Sequence, residues 1–399
     1  MAFGTSNRVA LRQVAETVWG ETPATPTLTP VRFTGESLNY NADFVTSQEI
    51  RSDRMTPDII QVSSLASGDI QGEWSYGSYD DFIQAAMFGT WTTTGSVLGP
   101  AITIAVVKTV GTPSTYALTD SGSGLAANSW VVGQLVKVEG FTTAGTFYAE
   151  ITGIAAGTLD IAPLTDVASE SAGDSVTITP MNFIRNGTTK RSFTIQKAFL
   201  DLDTPEFWNF TGCRIGSWNL ELATGSILNT SFSVMASDAQ MTESQIAGAT
   251  VGAASTTGVL NAVDNIAAIS FDGDPGGATY YFNSLTINLD NSLRGQQAVG
   301  TLGLIGVEAG RISLTGAIEL YFENSSLFDK FRSASSFSLS FLAQDAAGNV
   351  YIVSIPKAKY TQMEIVAGGL DQDIFASAQF EAIINDAGTH QYQISRLAA

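Results

Sequence analysis

Between residues 68 and 89 the sequence GDIQGEWSYGSYDDFIQAAMFG changes its hydrophobic period. Ile70, Gly72, Trp74 and Tyr76 alternate with Gln71, Glu73 and Ser75, the period-two signature of a half-buried strand. Asp80 and Asp81 then open a stretch in which Phe82, Ile83, Ala86 and Met87 return at helical spacing. Carboxylates in a first helical turn face its unpaired backbone N–H groups, so the pattern predicts a strand running into a short helix. The same order recurs at 310–331, GRISLTGAIELYFENSSLFDKF. There Leu314, Gly316, Ile318 and Leu320 alternate with Thr315, Ala317 and Glu319, and Asn324 and Ser325 precede Leu327, Phe328 and Phe331.

Three further echoes keep this order. SLNYNAD (37–43) shares four of seven positions with SLTINLD (284–290), and SFTI (192–195) returns as SFSL (336–339), with Asp201 and Asp345 in matching places beyond. LELATGSILNTSF (220–232) aligns without a gap on MEIVAGGLDQDIF (363–375), which sets Glu221 on Glu364, Gly225 on Gly368 and Phe232 on Phe375. The pattern reads as an internal duplication.

The copies differ between the helix and the strand after it. The second needs only Arg332 to Ser335, whereas the first has about a hundred residues, Gly89 to Arg191. A junction whose ends stay close tolerates an inserted domain. Within the insert, β-rich runs at 101–110, 130–138, 147–154, 158–161 and 175–178 are separated by small-residue turns, the pattern of a small all-β domain. At the N-terminus, Val9, Val14 and Val18 among polar neighbours predict an amphipathic helix over 6–19. Pro23, Pro26 and Pro30 then force an extended arm, expected to lie on a neighbouring subunit. The expected organisation is an arm (1–30), a first module (31–92 and 185–240), an insert (93–184), a linker (241–262) and a second module (263–399). The fold class is mainly β, with two tandem sandwich or barrel modules, each carrying a short helix.

Composition narrows the function. At 399 residues and 44% hydrophobic, the chain can bury more than one domain's core. Its net charge is −19 with only 14% charged residues, which argues against gripping nucleic-acid phosphates and leaves open letting nucleic acid slide past. The single cysteine, Cys213, excludes an intrachain disulfide and reads as a small buried apolar residue. The single histidine, His390, reads as a surface or interface residue. No P-loop, GxGxxG or nucleophile elbow is present, and no cofactor or metal site is expected. Asp272 and Asp274 faintly match a calcium loop, but Asn283 stands where a bidentate Glu belongs, so a turn is expected. Asp201, Asp203 and Glu206 read as a solvated loop. Arg8 and Arg12 interrupt any signal-peptide pattern, and the most apolar run, 101–110, is too short to span a bilayer, so assembly in a cytoplasm is expected.

The informative carboxylates lie on strands. Asn219 and Glu221 point away from Trp218, Leu220 and Leu222, and Gln362 and Glu364 away from Met363 and Ile365; Glu73 and Glu319 sit on the polar faces of the helix-preceding strands. One sheet face is thus expected to be apolar and the other polar and acidic.

Taken together, VALRQVAETVWGETPATPTLTPVRFTGESL, SQEIRSDRMTPD and SGDIQGEWSYGSYDDFIQAAMFGTW resemble the tail tube proteins of long, non-contractile-tailed bacteriophages. The similarity is clearest over 8–92 and continues at 190–236, and the insert resembles the decoration domains of such proteins. Two modules in one chain are similar to tube proteins that fuse them. The resemblance implies a structural protein of the virion tail, made of stacked rings with three chains each. Within it, Glu73, Asn219, Glu221, Glu319, Gln362 and Glu364 would face the lumen. Arg8, Arg12, Glu16, Arg51, Arg54 and Met55, from the arm and the loop at 44–66, would contact the next ring. Implied partners are further copies of the chain, a tape-measure protein inside, terminator and distal tail proteins at the ends, and double-stranded DNA in passage. The alternative is a multidomain β adhesin or carbohydrate binder, with Trp91, Trp130 and Phe141 stacking on sugar.

Overall fold

The computed structural model describes residues 3–111, 113–271, 281–367 and 369–399; Gly368 and the Asp272–Asp274 turn lie outside the described residues. The period-two stretches form strands and the duplicated unit forms twice. Ile59–Glu73 runs into the helix Asp80–Ala86, and Ser313–Tyr321 into the helix Ser326–Arg332.

In the first module antiparallel strands follow the order Asn39–Thr46, Ile59–Glu73, Asn229–Ala236, Glu206–Ala223, Phe193–Phe199, Val9–Ala15. The second repeats it as Phe282–Asp290, Ser313–Tyr321, Phe375–Ala382, Val350–Val366, Ser336–Gln344, Ile266–Phe271. Each module turns over on one long strand. In Glu206–Ala223 the register shifts between Ile215 and Ser217, and Gly212 takes a φ of 66°. A Cβ there would come within 2.7 Å of the Ser237 hydroxyl, so the bend needs glycine on both counts. In Val350–Val366 the matching shift falls between Tyr360 and Gln362. Two strand glycines leave room for aromatic rings, because a Cβ at Gly72 would sit 2.0 Å from the Tyr79 hydroxyl and one at Gly316 2.2 Å from the Phe380 ring.

The modules join edge to edge: the second half of Glu206–Ala223 pairs with Phe282–Asp290, from Ser217 opposite Asp290 to Ala223 opposite Ser284. Ile70, Trp74, Phe82, Trp218 and Phe232 belong to the same contiguous core as Leu285, Ile287, Ile318, Phe337 and Phe380. The join is reinforced outside the sheet. Trp74 stacks on Tyr351 at 4.9 Å between ring centroids. Asp80, at the start of the first helix, accepts hydrogen bonds from the Tyr351 hydroxyl and the Arg396 guanidinium. Burial pushes the Asp80 carboxyl above its ordinary range, against the pull of Arg396.

The insert is a curled seven-stranded sheet between Leu98 and Pro180 with its own core of Ile104, Leu118, Val138, Phe147 and Ile178. Although it departs from the first module, it packs on the second: Leu135, Leu164 and Met181 meet Leu342, Val350 and Ile352.

Three expectations are corrected. Residues 9–15 form a strand, not a helix, paired along its length with Phe193–Phe199. Its buried face carries Leu11 and Gln13, and the Gln13 amide donates to the Asp81 carboxylate at 2.8 Å. The proline-rich stretch does pack within the chain. Thr27–Val31 pairs with Val9–Ala15 on one side and with Thr250–Val251 of the linker on the other, and Leu28 is fully buried. His390 is buried rather than at the surface, with its Nδ1 2.8 Å from the Thr389 hydroxyl.

Candidate functional site: the acid-bearing face of the joined sheet

Residues opposite one another in a ladder project on the same side, so the registers alone assemble a face. One row crosses seven strands and the module join: Glu73, Asn229, Glu221, Thr286, Ala317, Gln379, Gln362. Two residues further along lies Ala223, Ser284, Glu319, Ser377, Glu364. On the other side lies Gln71, Ser231, Asn219, Asn288, Thr315, Glu381, Lys359. All six sequence-derived face residues therefore share one surface, although Glu73 and Glu364 are 291 positions apart in a chain of 399. At about 4.8 Å per strand, the first row extends over roughly 29 Å.

Sequence reasoning missed Asp69 and Asp290, which meet through Ser233 and Ser217 in a fourth row, and Glu381. Their signal was available in the period-two alternation, but only the ladder shows that they share a face. Against these carboxylates the face offers Lys359 and Arg311, the latter 3.4 Å from Glu381. Glu319 accepts from the Asn283 amide at 2.5 Å, while Glu221, Gln362 and Glu364 are exposed. On the opposite side Trp218, Leu220, Leu222, Leu285, Ile287 and Ile318 are buried, which fixes the register against a one-residue slip.

The residues expected between rings fall in two places. Arg51, Arg54 and Met55 lie at the tip of the hairpin formed by Asn39–Thr46 and Ile59–Glu73, where Arg51 pairs with Asp53 at 2.7 Å and Met55 is exposed. Phe44, Val45, Ile50, Ile59 and Ile60 make this hairpin an exposed apolar projection. Arg8 and Arg12 lie at the N-terminal strand, with Arg12 donating to the Gln196 side chain at 3.1 Å. Glu16 is engaged inside the chain, accepting from the backbone N–H groups of Gly20 and Gly212 and from the Thr194 hydroxyl.

The adhesin alternative loses its aromatic surface. Trp130 and Phe141 are buried in the insert's core, and Trp91 lies under the Arg396 guanidinium at 4.2 Å. Cys213 is fully buried, with its thiol pKa pushed up by that burial. His390 is lowered to about 4 by burial and by nearby Arg185. Asp201 accepts from the Thr5 backbone and hydroxyl, tethering the N-terminus. Among the described residues no group of His, Cys, Asp or Glu could hold a metal ion, and no helix is long and apolar enough to cross a membrane.

A search of curated proteins finds no match. A family model described as phage tail tube protein matches residues 6–382, nearly the whole chain. The chain belongs to the phage tail tube protein family, and with it to the structural components of the virion tail.

Proposed function

We propose that this chain assembles into rings of three, whose six modules surround a bore lined by the acid-bearing sheet face, and that the rings stack into a conduit for genome delivery. The observation that carries this reading is the continuity of the polar rows across the module join. Two modules already stand side by side with their carboxylates on one wall. Each chain supplies eight strands to that wall, from Asn39–Thr46 to Val350–Val366. Three chains at about 4.8 Å per strand would give a backbone circumference near 115 Å before strand tilt widens it.

Duplex DNA carries one negative charge per roughly 1.7 Å, so an anionic wall repels it and it slides instead of adhering. The repulsion decays over about 8 Å at physiological salt, which keeps DNA off the wall without closing the bore. The exposed hairpin at Arg51–Met55 suits a heterologous contact with the next ring, the kind that propagates into a filament. A tape-measure protein would occupy the lumen before DNA does, and terminator and distal tail proteins would close the ends. Electron microscopy of the purified full-length chain tests the reading: hollow rings or tubes with threefold symmetry support it, and particles that stay monomeric at all concentrations refute it.

A further inference from the structure

We propose that a ring closes by repeating, between chains, the seam that joins the two modules within one; this rests on the ring reading above. Inside the chain, the second half of Glu206–Ala223 has Asn229–Ala236 on one edge and Phe282–Asp290 on the other. The counterparts of the seam strands are Val350–Val366 and Asn39–Thr46. Among the described residues, the end of Val350–Val366 beyond its register shift, from Gln362 to Val366, pairs only with Phe375–Ala382, and Asn39–Thr46 only with Ile59–Glu73. One chain therefore ends in the two halves of a seam it has already built once. A chain that left both edges open would expose unpaired backbone groups to any passing strand.

The duplication also dictates the register. Laying 220–232 on 363–375 and 37–43 on 284–290 carries the pair Glu221–Thr286 onto Glu364 and Asn39. The ladders give a second route. Arg214 and Lys359 each stand just before their strand's register shift, and counting across from them leads to Asn39 and Asn288 respectively. That alignment carries a different pair, Asn219–Asn288, yet lands on the same two residues, Glu364 and Asn39. The two alignments differ by two residues within each strand and agree on the contact between chains.

The side chains fit this pairing. Glu364 faces an amide, Asn39, and Gln362 faces Asn41, so no like charges oppose. On the buried side Met363 meets Tyr40 and Ile365 meets Leu38, apolar against apolar as across Leu220–Ile287. The polar rows then run unbroken from chain to chain.

The test uses the full-length protein with Asn39→Cys and Glu364→Cys, oxidised after assembly and read on a non-reducing gel; native Cys213 is buried and does not compete. Asn219→Cys with Asn288→Cys, the same ladder position inside one chain, calibrates how readily such a pair oxidises. The expected result is linked dimers and trimers at a yield comparable to the calibrating pair, and about tenfold less from Asn41→Cys with Glu364→Cys, whose diagonal separation of roughly 7–8 Å exceeds disulfide reach. Rings seen by microscopy without the Asn39–Glu364 link, or with the shifted link dominant, overturn this seam while sparing the ring reading. Preparations with no rings overturn both.

Discussion

Replacing Glu73, Glu221, Glu319 and Glu364 with Lys changes the sheet face while sparing the core, because all four project away from it. Glu73 and Glu221 are two strands apart through Asn229, as are Glu319 and Glu364 through Ser377. That separation, about 10 Å, is close to the Debye length of roughly 8 Å, so neighbouring charges merge into one band rather than acting singly. Four reversals take the chain from −19 to −11, and it stays acidic and soluble while the band changes sign. Each Lys that meets a phosphate contributes about −0.9 to the slope of log affinity against log salt, so a face with all four engaged gives a slope near −3.6 per chain. Tubes of the variant should capture duplex DNA with that salt dependence, whereas wild-type tubes show none, and virions carrying the variant should eject more slowly. Control reversals at Asp160 and Glu243, outside these rows, should leave ejection unchanged. Variant tubes that do not bind DNA, with ejection at the wild-type rate, would refute the assignment of this face to the bore.

Other outcomes concern stability. The Glu150 carboxyl is pushed up to about 7 by burial, against the pull of Arg185. Between its ordinary 4.5 and about 7 the unfolded chain has released a proton that the folded chain keeps, so stability falls as pH rises through that window. Glu150→Gln should therefore match wild type at pH 4 in chemical unfolding and gain up to about 3 kcal/mol at pH 8; an equal gain at both pH values would contradict this cause. Gly316→Ala presses a methyl group into the Phe380 ring and should cost about 1–3 kcal/mol, read as a lowered melting temperature. Asp80→Ala takes the charged partner from the Arg396 guanidinium, which keeps its hydrogen bond to Asn182, and the acceptor from the buried Tyr351 hydroxyl at the join, and should cost about 3 kcal/mol. Tyr351→Phe removes two hydrogen bonds, the one donated to Asp80 and the one accepted from the Gly77 backbone N–H, and should cost about 2 kcal/mol in the same unfolding assay.

What could be read from the chain before its fold was known is whatever local periodicity encodes. The repeated strand-to-helix unit was legible because Trp74 and Ile318 alternate with Glu73 and Glu319 before the period changes. The N-terminal strand was misread because Gln13, a polar residue, takes a buried position and breaks the apolar alternation, while Val9 and Val14 suggest a helical face. The Gln13 amide nitrogen finds a partner in Asp81, and a contact between residues 68 positions apart leaves no local trace. The Pro23–Pro30 stretch misled for the same reason, since the strands that accept Thr27–Val31 come from both ends of the first module. His390 was misplaced because its cover includes Gly133 of the insert, which a linear reading assigns to a separate domain.

The duplication also explains why the two modules need not be alike. After Asn39–Thr46 the first copy projects a hairpin with Ile50 and Met55 exposed. The second copy's corresponding segment folds back beneath it: Ser64 donates its backbone N–H to the Leu302 carbonyl at 2.9 Å, Lys190 pairs with Glu308, and Arg214 donates to the Val307 carbonyl. In a ring of identical single-module chains every hairpin would meet the same surroundings, and one sequence would have to serve all of them. Fusing two copies lets one loop specialise for holding its own chain together and leaves the other free. The insert follows the same logic, leaving the first module but resting on Leu342, Val350 and Ile352 of the second. With Asp80, Arg396 and the Trp74–Tyr351 stack, it fixes the angle between modules before any second chain arrives. In the ring proposed above, that rigidity would lower the entropic cost of closure, because each chain would bring two sectors already set at one angle.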